Sequence, residues 1–67
     1  MTAKQATLWA VVLDRDGQEH TKEDLTRAEA TRLFDEAKAD PSVFSAFLYQ
    51  QHKRNGWRMY QEYERAA

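Results

Sequence analysis

The sequence predicts an α+β domain: a small antiparallel β-sheet of three or four strands with one α-helix packed on one face, in the order β-(β)-α-β-β. Three observations carry this reading. Near the start, Thr7-Leu8-Trp9-Ala10-Val11-Val12-Leu13 concentrates β-branched and aromatic residues and stops at Asp14-Arg15-Asp16-Gly17, where Asp-Gly supplies the positive φ angles of a tight hairpin. In the middle, apolar residues recur at helical spacing behind a capping motif. Toward the end, a second aromatic stretch is interrupted by Asn55-Gly56 and resumes with alternating character.

Residues 1–6 read as a flexible N-terminal arm and 7–65 as a single domain, because a chain of 67 residues has no room for a second core. The first strand is Thr7 to Leu13. Its return, Gln18 to Lys22, is polar on both faces and suits a short edge strand or a loop. The helix begins at Thr26-Arg27-Ala28-Glu29, a capping box in which the Thr26 hydroxyl accepts from the Glu29 amide and the Glu29 carboxylate accepts from the Thr26 amide. Ala30, Leu33, Phe34 and Ala37 then form one stripe at i, i+3, i+4 and i+7. Pro41 ends the helix near Asp40.

Two templates compete for Ser42 to Lys53. As a helix, capped by Asp40, it would carry Val43, Phe44, Phe47 and Leu48 on one stripe and stop at Asn55-Gly56. As a strand it would pair with Trp57 to Tyr63 across a turn, Arg54-Asn55-Gly56, that sets Gln51 opposite Met59, Tyr49 opposite Gln61 and Phe47 opposite Tyr63. We favour the hairpin. In that reading the helix covers a face made of Trp9, Val11, Leu13, Val43, Phe47, Tyr49, Trp57, Met59 and Tyr63. The opposite face carries Leu8, Ala10, Val12, Phe44, Ala46, Leu48 and Tyr60. A single helix shields only one side of a sheet, so a second apolar side calls for a partner. These seven residues are the expected protein interface, with a second copy of the chain or with another protein, and self-association is the expected outcome.

Composition narrows the chemistry. With no cysteine, disulfides, thiolate metal sites and Cys nucleophiles are excluded together, and a reducing, cytoplasmic setting is expected. The longest apolar run, Leu8 to Leu13, is too short to cross a bilayer or to form a signal core. His20 and His52 have no metal-ligand spacing, and Asp14-Arg15-Asp16-Gly17 lacks the spacing of a calcium loop. Gly17 and Gly56 alone cannot build a phosphate loop. No catalytic residue, metal, cofactor or small-molecule substrate is therefore expected, nor a membrane partner. A net charge of −1 provides no global attraction for nucleic acid. The alternative is local: His52, Lys53, Arg54 and Arg58, interleaved with Tyr49, Trp57 and Tyr60, combine cations for phosphates with rings for bases.

The layout of strand, Gly turn, Thr-capped helix and aromatic hairpin resembles that of compact α+β proteins encoded by phages and mobile elements, many of which act by blocking a host protein. The resemblance is one of pattern along most of the chain. It carries no motif, and it implies a binding role without assigning any residue.

Overall fold

A computed structural model describes residues 8–52 and 56–65. The order is β1 (Leu8–Arg15), β2 (Gln18–Leu25), α1 (Arg27–Ala39), β3 (Val43–His52) and β4 (Gly56–Glu64). All neighbouring strands are antiparallel in one four-stranded sheet, β2-β1-β3-β4, and the helix lies over the central strands β1 and β3. The expected α+β architecture is thus present, with the polar return after Gly17 forming a full eight-residue edge strand. Residues 42–52 do not form the competing helix. The proposed arm, residues 1–6, lies outside the described residues.

Local chemistry sets each boundary. Arg15 pairs with Gln18, leaving Asp16 and Gly17 as a two-residue turn with φ of 53° and 82°. Positive φ at both central positions matches the right-handed twist of the flanking strands. At the helix start the Glu29 amide donates to Thr26 Oγ1 at 3.1 Å and the Thr26 amide donates to Glu29 Oε1 at 3.0 Å, closing the capping box. Such a cap is worth about 1 kcal/mol.

The helix stops at Asp40, whose side chain organises the turn into β3. Its Oδ1 accepts from the Ser42 amide at 2.9 Å and from the Ser42 hydroxyl at 2.8 Å. Oδ2 accepts from Arg15 Nη2 at 3.1 Å. Arg65 closes the same corner, donating through Nη2 to the Asp40 carbonyl at 2.7 Å and through Nε to the Val43 carbonyl at 3.0 Å. The Ser42 amide, then the Ser42 hydroxyl, then Arg15 hold the Asp40 carboxyl below its usual pKa. A carboxyl whose native pKa is depressed stabilises the fold above its unfolded pKa and ceases to do so as pH falls through the native value. The difference in denaturant midpoint between the natural chain and Asp40→Asn should therefore be constant above about pH 5 and shrink progressively below about pH 4, where a free Asp begins to titrate. A difference independent of pH down to about pH 2 would show that the carboxylate charge contributes nothing there.

The core is thin. Trp9, Val11, Val43, Ala46 and Leu48 of the sheet meet Ala30, Phe34 and Ala37 of the helix, with Leu13, Leu25, Leu33 and Tyr63 packed around them. Phe34 is the single large ring the helix inserts, and it is 2% exposed. The alanines at 30, 37 and 46 allow the helix to approach the sheet closely, with Val43 and Leu48 filling the β3 positions on either side of Ala46. This overturns the parity expected for β3. Ala46 and Leu48, expected on the open side, are 0% and 2% exposed under the helix. Phe47 and Tyr49, expected under the helix, alternate to the other side.

Three bulges punctuate the sheet. One lies in β2 between the partners of Trp9 and Val11, where Asp24 takes a φ of 59°. Another is Phe44, the extra residue between Val43, paired with Arg15, and Ser45, paired with Asp14. A third is Tyr60, between Met59, paired with Tyr49, and Gln61, paired with Leu48. The hairpin register also differs from expectation. Gln51 faces Trp57, Tyr49 faces Met59 and Phe47 faces Glu62, because Gly56, with φ of 75°, opens β4 opposite His52 and does not close the turn.

Candidate functional site

Directly paired residues of an antiparallel sheet share a face. Starting from the buried positions, the pairing assigns the face opposite the helix row by row. At one end lie Glu19, Asp14, Ser45 and Glu64, followed by Thr21, Val12, Phe47 and Glu62. Then come Ala10, Tyr49 and Met59, and at the far end Leu8, Gln51 and Trp57. Carboxylates therefore gather at one end and along the β4 margin, and apolar groups gather in the middle and at the other end. Asp14 Oδ1 is buried with no hydrogen-bond partner among the described residues.

The aromatic side chains form a connected series. Phe47 and Tyr49 have ring centroids 6.4 Å apart, and Tyr49 and Trp57 are 5.5 Å apart at a tilt of 48°. Leu8, Trp57 and Met59 remain 37%, 41% and 45% exposed. Val12, Phe47 and Tyr49 are half-buried by their neighbours. Ala10 is fully buried although it faces away from the helix. Above this strand, Gln51 of β3 reaches β2: its Oε1 accepts from the Asp24 amide at 2.7 Å and its Nε2 donates to Asp24 Oδ1 at 3.2 Å. The bridge must pass over β1 near Ala10, where only a small side chain leaves it room.

Of the seven residues expected to form the interface, Leu8, Ala10 and Val12 lie on this face. Ala46 and Leu48 do not, being part of the core. Phe44, at its bulge, is 58% exposed but has no cross-strand partner on β1. Tyr60 follows Met59 and so alternates to the helix side, where its ring meets Trp9 edge-on at 5.1 Å. The Arg27 guanidinium sits 5.5 Å from the Trp9 ring centre and 5.9 Å from that of Tyr60. The residues that complete the open face are Phe47, Tyr49, Trp57 and Met59. Their mutual placement was legible, since all four were expected on one side. The signal that assigns that side is the small size of Ala30, Ala37 and Ala46.

The basic group is less coherent. Arg58 pairs with Gln50 on the helix side, away from Tyr49 and Trp57. His52 ends β3 with its Nε2 buried and without a hydrogen-bond partner among the described residues. Lys53 and Arg54 lie outside the described residues. Among the described residues no group of three or more His, Asp or Glu could hold a metal ion, and no helix is long and apolar enough to cross a membrane. A concavity beside Arg27, Thr31, Asp35 and Ala39 runs along the solvent side of the helix and is open along its length. No family model, curated protein or solved structure matches this chain.

Proposed function

We propose that this chain is a small, non-catalytic protein-interaction module, working in the cytoplasm, that docks through the open face of its sheet. The observation that carries the reading is the continuous patch of Leu8, Val12, Phe47, Tyr49, Trp57 and Met59 on the side that the helix does not cover. Antiparallel sheets that face water carry polar side chains on that side. Aromatic residues and Met are the types enriched at protein interfaces, and rings in a connected series supply large contact area at little entropic cost. The layout shared with phage and mobile-element proteins supports a role by occupancy, such as blocking a host protein.

The test combines mass with surface chemistry. In sedimentation or light scattering the purified chain should either exceed its 7.9 kDa monomer mass or, as a monomer, bind an apolar fluorescent dye that Trp57→Arg displaces. A 7.9 kDa species that binds no dye would overturn the reading.

One observation favours a second reading. Rings on an open four-stranded sheet are how some RNA-binding domains stack bases. Here Asp14, Glu19, Glu62 and Glu64 share that face and repel phosphates, while Arg58 lies on the other side. No gel shift with single-stranded oligonucleotides is expected even at low salt. A shift that weakens steeply with salt and is lost on Lys53→Glu plus Arg54→Glu would replace the first reading with this one.

A further inference from the structure

We propose that the open face takes a cationic amphipathic helix of another protein, its apolar stripe laid on the aromatic rows and its lysines or arginines over the carboxylates that flank them. This rests on the docking reading above and specifies the chemistry of the partner.

The observation that carries it is the division of charge between the two sides of the sheet. Asp14, Glu19, Glu62 and Glu64 stand in the rows of the open side, and Asp24 joins them through its bond to Gln51. No lysine or arginine among the described residues stands there. Arg15, Lys22 and Arg58 pair with Val43, Val11 and Gln50 and so share the helix side, and Arg65 turns to the Asp40 and Val43 carbonyls. The other described lysine and arginines belong to α1. The chain is nearly balanced at −1, yet among the described residues this side is of one sign.

Complementary potential selects partners by sign. Nucleic acid, an anionic membrane surface and the open face of a second copy would each bring negative charge to these carboxylates. A segment that carries Lys or Arg beside apolar residues satisfies both parts of the surface.

The sheet also selects the form of that segment. A strand would have to join at an edge, and both edges oppose it. The β2 edge presents Glu19, Lys22, Glu23 and Asp24 and is bulged near its end, and the β4 edge is interrupted by the Tyr60 bulge. Charges and bulges of this kind stop strand addition. A helix needs no edge, and α1 already covers the inner side of the same sheet. Leu8 and Asp14 bound the open rows on β1, a distance of about 20 Å that a helix spans in about 13 residues. Helix α1 has the same length, 13 residues. Apolar residues at i, i+3, i+4 and i+7 of such a helix would meet Trp57, Tyr49, Met59 and Phe47, and cations in its end turn would reach the Glu19, Asp14 and Glu64 row.

The probe is a dye-labelled synthetic peptide of about 14 residues with leucines at that spacing and lysines in one end turn, titrated with the natural chain and read by fluorescence anisotropy. It should bind at least about tenfold more tightly than the same peptide with glutamate for lysine. Its binding should weaken as salt rises from about 0.05 to about 0.5 M. Glu62→Lys plus Glu64→Lys, both at exposed positions, should reverse the preference with an unchanged far-ultraviolet spectrum, and Glu19→Lys at the opposite margin should reduce it. Trp57→Ala should weaken binding at least about tenfold. Equal binding of the two peptides, or a preference that these charge reversals leave unchanged, overturns the cationic partner and keeps the docking face. Binding insensitive to Trp57→Ala places the peptide elsewhere and overturns it as well. If neither peptide binds, the partner is overturned; apolar dye displaced by Trp57→Arg then keeps the docking face, and the absence of dye binding removes both.

Discussion

Leu48→Asp should abolish folding, whereas Phe47→Asp, one residue away, should leave a folded chain. Leu48 is 2% exposed, flanked by Val11 on β1 and Gln61 on β4 and covered by the helix. Its replacement loses about 2–3 kcal/mol of apolar burial. It also places a carboxylate where no cation lies among the core residues, and an unpaired buried charge adds about 3–5 kcal/mol. A domain of 67 residues has about 3–10 kcal/mol in total. Phe47 lies on the opposite face, beside Val12, Glu62 and Tyr49, with access to water. The charge there is solvated and the expected cost is about 1–2 kcal/mol. Circular dichroism and denaturant melts of the two variants read the sheet's parity directly. Equal damage from both, or the reverse order, would mean that the faces are assigned the wrong way round.

The second large effect is expected at Phe34. It is the only large ring that the helix contributes to the core, and the alanines at 30 and 37 on either side cannot fill the space it would leave. Phe34→Ala should cost about 3–5 kcal/mol, the transfer of the ring plus the cavity, which is comparable to the whole stability of so small a domain. Thermal unfolding should lose its cooperative transition or shift down by more than about 10 °C. Phe34→Leu, which keeps most of the volume, should retain the transition at a reduced midpoint. A variant Phe34→Ala that melts like the natural chain would mean that the helix is not what holds the sheet's inner face.

These two tests also mark where the residue pattern informs and where it stops. Local signals marked the first hairpin at Asp16-Gly17, the helix start at Thr26 and Glu29 and its end at Pro41, whereas Gln18 to Lys22 read equally as a loop and Ser42 to Lys53 also fitted a helix. The grouping of Phe47, Tyr49, Trp57 and Met59 on one side was legible for the same reason, as β3 and β4 are joined by a short connection that fixes their relative parity. The relation of β3 to β1 was not. These strands meet only after a helix and a turn, so no hairpin sets their register, and a slip of one residue exchanges every side chain between faces. Packing decides the matter: Ala46 and Leu48 fit under a helix that carries Ala30 and Ala37, and Phe47 and Tyr49 do not. The bulges at Phe44 and Tyr60 were also illegible, because a bulge adds a residue without a compositional mark of its own. Tyr60 changed sides with the parity of the whole hairpin, and the extra residue returned Tyr63 to its expected place beside the core.

The bridge from Gln51 to Asp24 has a mechanical consequence. β2 contributes one apolar anchor, Leu25, and otherwise holds to the sheet through backbone pairing with β1 and through that bridge. Its detachment would leave the three remaining strands and the helix with nearly all their shared interior, so this margin can peel and re-anneal while the rest of the molecule stays assembled. Gln51 acts as a latch on a seam that is otherwise cheap to open, at the strand farthest from the aromatic series.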